Sequence, residues 1–245
     1  MRGHPDPRGY GRAVPDPDAR PLALVTGASR GIGAAVAHAL APTHDLLLGG
    51  RDADALESLA ADLPGAREWP VELTDPGAVA DAVRGVERLD VLVHSAGIGQ
   101  LGTIEDSPAE QWRRTFEINV VAVAELTRLL LPALRAARGQ VVCINSGSGH
   151  TARPGWGSYA ASKFALRAFA DALRAEEAVH CVRVTSIHPG RTDTDMQRGV
   201  IAHEGGEYDG SRFLRPESVA RAVLLAVTAP PDADVTELSI RPGPR

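Results

Sequence analysis

The sequence predicts an α/β fold: a doubly wound three-layer sandwich of about seven parallel strands with helices on both faces. Three observations carry this. Seven short apolar runs are separated by helix-length stretches, and such alternation calls for a parallel sheet wrapped by helices. Most of the runs are continuously apolar rather than alternating, as strands covered on both faces should be. The first run passes through a glycine-rich turn directly into an alanine-rich helix. A chain of 245 residues, 44% hydrophobic and 23% charged, suits one large globular domain.

The first 20 residues hold Pro5, Pro7, Pro15 and Pro17 among scattered Asp and Arg with no periodicity, and they read as a flexible tail, leaving 21–245 as a single domain. Leu22 to Thr26 is the first strand, followed by the turn and a helix over Ala34 to Leu40. Leu46 to Gly50 is the second strand, and Asp52 opens a helix over Ala53 to Leu63. Ala66 to Val71 and Val91 to Val93 are the third and fourth strands. Ser107-Pro108 starts a long helical stretch reaching Arg138, because proline suits a first helical turn whose N–H has no partner. Val141 to Asn145 is the fifth strand, and Gly157-Ser158 opens a helix running to Val179. Val182 to Ile187 is the sixth strand. Glu217 and Ser218 lead into a helix over Val219 to Thr228, and Val235 to Ile240 closes the sheet. No internal repeat and no second domain are visible.

Charge and composition exclude several function classes. With 26 Lys+Arg against 31 Asp+Glu the net charge is −5, which argues against a nucleic-acid or anionic-membrane binder. No run approaches the roughly 18 uncharged apolar residues of a membrane span, and Met1 to Arg20 lacks the apolar stretch of a signal peptide. A cytoplasmic location is the expectation. Cys143 and Cys181 both lie in Val/Ile-rich runs and read as buried free thiols of a reducing compartment. Lys163 is the only lysine among 26 basic residues, and Asn119 and Asn145 are the only asparagines.

The turn reads Thr26-Gly27-Ala28-Ser29-Arg30-Gly31-Ile32-Gly33. Strand, glycine turn and helix appear in the order a Rossmann-type dinucleotide site needs, a plain tight strand-to-helix turn being the alternative. Glycines let the backbone turn sharply and approach a pyrophosphate, whose charge sits at the exposed N–H groups of the following helix. No Lys-Ser/Thr follows the last glycine, which removes the P-loop alternative. The second strand ends Leu48-Gly49-Gly50-Arg51 without an acid before the arginine. Arg51 with Arg30 therefore suits a 2′-phosphate, favouring NADP(H) over NAD(H), while Asp52 is the alternative ribose reader if the strand ends later.

Tyr159 and Lys163 are four residues apart and share one helix face. An unperturbed tyrosine has a pKa of about 10, so acid/base work near neutrality needs a fall of about 3 units, or about 4 kcal/mol. A cation about 4 Å away at an effective dielectric near 20 supplies about that. Ser146, thirteen residues earlier, follows the fifth strand and offers a hydroxyl for a developing oxyanion.

The glycine turn, Ser146 and Tyr159-x-x-x-Lys163, in this order and spacing, resemble the short-chain dehydrogenase/reductase family, in its single-domain branch, over roughly residues 21–245. The resemblance implies hydride transfer between a nicotinamide and a carbonyl or secondary alcohol. Tyr159 would pass the proton, and Lys163 would lower its pKa and hold the nicotinamide ribose. Ser146 would orient the substrate oxygen, and Asn119 would complete a tetrad and steady a relay water. It also implies cofactor contacts from Gly27, Ser29, Arg30, Gly31, Ile32, Gly33 and Arg51; from Glu72 and Leu73 near the adenine; from Ser95, Ala96 and Gly97; and from Pro189, Gly190, Thr192 and Thr194 near the nicotinamide. His94-Ser95 stands where the family carries Asn-Asn. The stretches 108–138 and 158–179 resemble subunit-contact helices, implying a homodimer or homotetramer, and Arg191 to Leu214 resembles a lid. Trp156, Met196, Tyr208 and Phe213 fall in segments that flank the pocket mouth. None of the eight histidines forms a His-x-x-x-His spacing, so no metal is expected, and His150 and His188 read as structural, with lining the site as the alternative. The rival reading on the same fold is a catalytically silent NADP(H)-sensing regulator.

Overall fold

All seven apolar runs become strands of one parallel sheet in the order β3-β2-β1-β4-β5-β6-β7. The computed structural model describes residues 20–244. The strands are β1 (Leu22–Thr26), β2 (Asp45–Gly50), β3 (Ala66–Pro70), β4 (Val91–His94), β5 (Gln140–Ile144), β6 (Arg183–Pro189) and β7 (Glu237–Ile240). The helices are α1 (Gly31–Leu40), α2 (Ala53–Asp62), α3 (Pro76–Ala82), α4 (Ala109–Phe116), α5 (Ala122–Ala137), α6 (Gly157–Glu177), α7 (Asp195–His203) and α8 (Pro216–Val227).

Alternation along the strands divides the core in two. From β1, Ala23 and Val25 pack with Val36 and Leu40 of α1 and with Val219 and Val223 of α8. Leu24 points the other way, into Leu126, Leu130 and Leu134 of α5 and Leu166 and Leu173 of α6. The central strands β4 and β5 are buried throughout, as continuous apolar runs require, whereas the edge strands β3 and β7 are largely exposed. Because β1 pairs with both β2 and β4, the chain leaves it in opposite directions, which opens a crevice at the carboxyl ends of these strands.

Several sequence expectations are corrected. Cys143 is buried, and burial pushes its thiol up to about 12, but Cys181 is exposed, at a left-handed residue between α6 and β6. Helix α3 was not anticipated, although Asp75 caps it by accepting from the N–H groups of Gly77 and Ala78, with Pro76 in its first turn. The stretch 108–138 is interrupted by a π-turn over Glu117–Val121, and Asn119 lies in it. The Arg191 to Leu214 segment, for which no helix was expected, contains α7; its reading as a lid is unaffected. Arg20, assigned to the tail, is held by the carbonyls of Ala41 and His44 and lies 3.2 Å from Asp45, whereas 1–19 lie outside the described residues.

Candidate active site

The glycine turn is shaped by contacts that tolerate no side chain. Gly27 has φ +67°, and a Cβ there would lie 2.8 Å from Ala96 Cα; one on Gly33 would lie 2.1 Å from the Gly27 carbonyl oxygen. Glycine at both positions lets the turn close against the loop after β4 while α1 packs down on the turn. Thr26 Oγ1 accepts from the N–H groups of Ser95 and Ala96 at 3.1 and 3.2 Å, fixing Ser95-Ala96-Gly97 beside the turn. Thr194 reaches over Gly31, 3.3 Å from where its Cβ would stand. Asp52 and Asp75 cap α2 and α3, but α1 has neither a side-chain cap nor an acid in its first turn. Its leading N–H groups and positive end are left for an anion such as a pyrophosphate.

The residues expected around the adenosine end lie at the ends of β2 and β3. Arg51 Nη1 is 3.6 Å from Glu72 Oε2, and Arg30 Nη1 in the turn is 3.8 Å from Asp195 Oδ2. Asp52 Oδ1 accepts from Ala55 N at 3.1 Å, so that carboxylate serves as a helix cap. Burial disfavours the Glu72 carboxylate, but the Thr74 N–H and hydroxyl, with Arg51, outweigh it and hold its pKa below the usual range. Leu73 packs against the core.

Helix α6 places Tyr159 and Lys163 on one buried face. The Lys163 ammonium lies 5.8 Å from the Tyr159 ring centroid and donates to the Ile144 carbonyl at 3.0 Å. Burial lowers the Lys163 pKa to about 8. Burial likewise raises that of Tyr159, against a smaller opposing pull from the Ser146 hydroxyl, so the phenol is protonated at neutral pH. Asn119, fully buried, uses both amide donors, on the Ile98 carbonyl at 2.9 Å and Ser162 Oγ at 3.0 Å, while its Oδ1 accepts from Ile98 N at 2.9 Å. Ser162 in turn donates to the Tyr159 carbonyl at 2.7 Å. The Asn119 side chain therefore clamps the loop after β4 to α6, and a Cβ on Gly97 would press within 3.2 Å of its Oδ1. His94 Nε2 lies 2.8 Å from Thr127 Oγ1, tying β4 to α5, and burial holds that ring neutral, with a pKa of about 3.

A cavity of about 700 Å³ opens at the carboxyl ends of the strands. Ser146, Tyr159, Ile32, Pro189, Gly190, Thr192 and Thr194 line its inner side. Asn119, Lys163 and Gly97 sit behind Tyr159, and the glycine turn, Arg30, Arg51, Glu72 and Leu73 continue towards β3. Of the four residues expected at the mouth, Trp156, Met196 and Phe213 line the cavity. Tyr208 does not; its hydroxyl donates to Asp193 under the Arg198 guanidinium, and burial with that carboxylate pushes its pKa up to about 12. The sequence reading missed Leu101, Ile201, Arg153, Arg212 and Arg241, which also line it from four separate segments and carry no shared motif.

The family model described as short chain dehydrogenase matches residues 21–205. Dehydrogenase/reductase SDR family member 7B of Bos taurus is 37% identical over 229 residues, covering 84% of this chain and 70% of that protein. Glycine betaine reductase ATRR of Emericella nidulans is 36% identical over 235 residues, 90% of this chain but 18% of that much longer protein. Among solved structures, an alcohol dehydrogenase from the archaeon Thermococcus sibiricus, complexed with 5-hydroxy-NADP, superimposes with a TM-score of 0.82 at 28% identity, covering 91% of this chain and 96% of that one.

Proposed function

The chain belongs to the short-chain dehydrogenase/reductase family of oxidoreductases acting on CH–OH and C=O groups, and from that premise we propose an NADP(H)-dependent carbonyl reductase or alcohol dehydrogenase with Tyr159 as its proton donor and acceptor. The observation that carries the reading is Tyr159 and Ser146 together on the inner wall of one cavity, with the only lysine of the chain buried behind the phenol.

The residues present fit NADP(H). The cradle that a Cβ on Gly27 or Gly33 would fill and the uncapped start of α1 suit the pyrophosphate. Arg51 and Arg30, both exposed, can turn to a 2′-phosphate, as the NADP ligands of structural relatives encourage. When bound, the nicotinamide supplies or receives the hydride. This chain's own residues do the rest. Ser146 donates its hydroxyl hydrogen to the substrate oxygen and holds it against Tyr159. Tyr159 gives its proton to that oxygen in reduction and takes it back in oxidation. Lys163 favours the phenolate electrostatically and is placed to hold the nicotinamide ribose. Asn119 keeps the loop after β4 and α6 in register, and so positions both. Trp156, Met196 and Phe213 give the substrate an apolar outer wall.

Among the described residues no helix is long and apolar enough to cross a membrane, in keeping with a cytoplasmic enzyme. Val121 beside α5 and Phe164 on α6 are 49% and 43% exposed, which supports a homodimer or homotetramer through those helices. The test is NADPH consumption by the purified protein against a broad carbonyl panel, with Tyr159→Phe in parallel. The variant keeps NADPH binding and loses at least about 100-fold in turnover. Equal turnover in the variant ends the mechanism, and no turnover by NADPH-bound wild type on any panel member points to a sensor.

A further inference from the structure

Beyond Ser146, at the β7 edge of the sheet, three side chains converge that the proposed chemistry does not use. His150 follows the short turn after Ser146, His188 lies near the end of β6, and Glu237 opens β7. His150 Nε2 is 3.2 Å from Glu237 Oε1, and His188 Nε2 is 3.5 Å from Glu237 Oε2. One ligand atom from each lies within 4.8 Å of the others.

The hydrogen-bonding of His188 shows what the cluster lacks. Its Nδ1 lies 3.0 Å from the Ser146 carbonyl oxygen, which can only accept, so Nδ1 carries the hydrogen. In the neutral ring Nε2 is then a bare lone pair, and it faces a carboxylate that offers only lone pairs. That side chain is fully buried, and neither its Nε2 nor that of His150 has a hydrogen-bond partner. The buried His188 lone pair thus faces a partly exposed carboxylate with no hydrogen between them, and the nearest cation, Arg167, lies against that carboxylate.

The spacing fits a metal ion. Bonds of about 2.0–2.2 Å in tetrahedral zinc sites put neighbouring ligand atoms about 3.3 Å apart; each imidazole lies about that far from one oxygen of the carboxylate, His150 from Oε1 and His188 from Oε2, and a small shift lets both share an ion with a single oxygen. We propose that His150, His188 and Glu237 bind one divalent transition-metal ion, Zn²⁺ fitting best, with water as the fourth ligand. The N–H bond from His188 to the Ser146 carbonyl is then the outer contact that sets tautomer and ring orientation in a ligating histidine. Access is open, since the side chains of His150 and Glu237 are 24% and 36% exposed. Arg167 Nε, 3.5 Å from Glu237 Oε2, shares the carboxylate and weakens the site. The ion ties β6, β7 and the turn after β5 together behind Ser146, acting as a structural clamp on the residue proposed to orient the substrate.

The test needs no turnover, so its outcome is independent of the hydride-transfer reading. Chelator-stripped full-length protein is titrated with Zn²⁺ by calorimetry and with Co²⁺ by visible absorption. One equivalent binds per chain with a micromolar or tighter Kd, the cobalt spectrum is tetrahedral, and zinc raises Tm. Binding weakens at least about tenfold in His150→Ala and in Glu237→Gln, both at partly exposed positions, and is unchanged in Cys181→Ser, which removes an exposed thiol. Absence of binding by the wild type overturns the proposal. Binding undiminished in both ligand variants also overturns it.

Discussion

Replacing Lys163 by methionine removes a buried charge while keeping much of the side-chain volume. At an effective dielectric of about 20, a unit charge 5.8 Å from the Tyr159 ring contributes about 3 kcal/mol towards the phenolate, or about 2 pKa units. Burial already drives the Tyr159 pKa upward against the pull of the Ser146 hydroxyl, and the variant removes the one nearby cation that would favour the phenolate. The expected loss in alcohol oxidation at pH 7 is about 100-fold. The loss depends on pH, because Lys163 gives up its own proton through about 8. Above about pH 9 the wild type has also lost most of its ammonium, and the ratio of wild-type to variant rate narrows. Initial rates of NADP⁺ reduction across this range, with the best substrate from the panel, measure that ratio. A ratio that stays constant with pH, or full activity in the variant at pH 7, refutes the electrostatic role. Stability provides a second reading without substrate. The folded pKa of about 8 lies below the ordinary 10.5, so between these values the unfolded chain binds more protons and stability rises with pH. Measured against Lys163→Met by denaturant unfolding, the wild type should gain about 3 kcal/mol across that window.

Two further substitutions test the cofactor cradle. Arg51→Asp replaces the exposed cation at the end of β2 with a charge that repels a 2′-phosphate, and the ratio of NADPH to NADH affinity, read by nucleotide fluorescence, should fall at least about tenfold; an unchanged ratio moves the 2′-phosphate site elsewhere. Gly33→Ala sets a methyl 2.1 Å from the Gly27 carbonyl, so the turn must shift by about 1 Å. NADPH affinity should then fall about 100-fold, at a cost of about 1–3 kcal/mol in stability, and wild-type affinity in a folded variant would show that the turn does not carry the pyrophosphate.

Local patterns carried much of this protein. The seven strands were legible because buried parallel strands are continuously apolar, and the turn because glycines at 27, 31 and 33 between a strand and an Ala-rich helix have few other uses. Tyr159 and Lys163 share a face by helical periodicity alone. Lys163 is conspicuous by composition alone, as the lone lysine of an arginine-rich chain. Arg51 was placed by the end of a strand, and Asp52 by its position as a cap.

What tertiary packing decided depends on partners distant in sequence. Helix α3 is only seven residues long and too short to show a period, and Cys181 is exposed because it occupies the left-handed turn between α6 and β6, ahead of the buried strand rather than in it. Asn119 lies in a π-turn and is spent on Ile98 and Ser162, contacts that no local spacing announces. The cavity's arginines come from separate segments. His150, His188 and Glu237 show the same principle most plainly. No ligand spacing links positions 150, 188 and 237, because the sheet order brings β7 beside β6 and the turn after β5 folds over both. Local composition determines which elements form, whereas the pairing of strands determines which side chains meet.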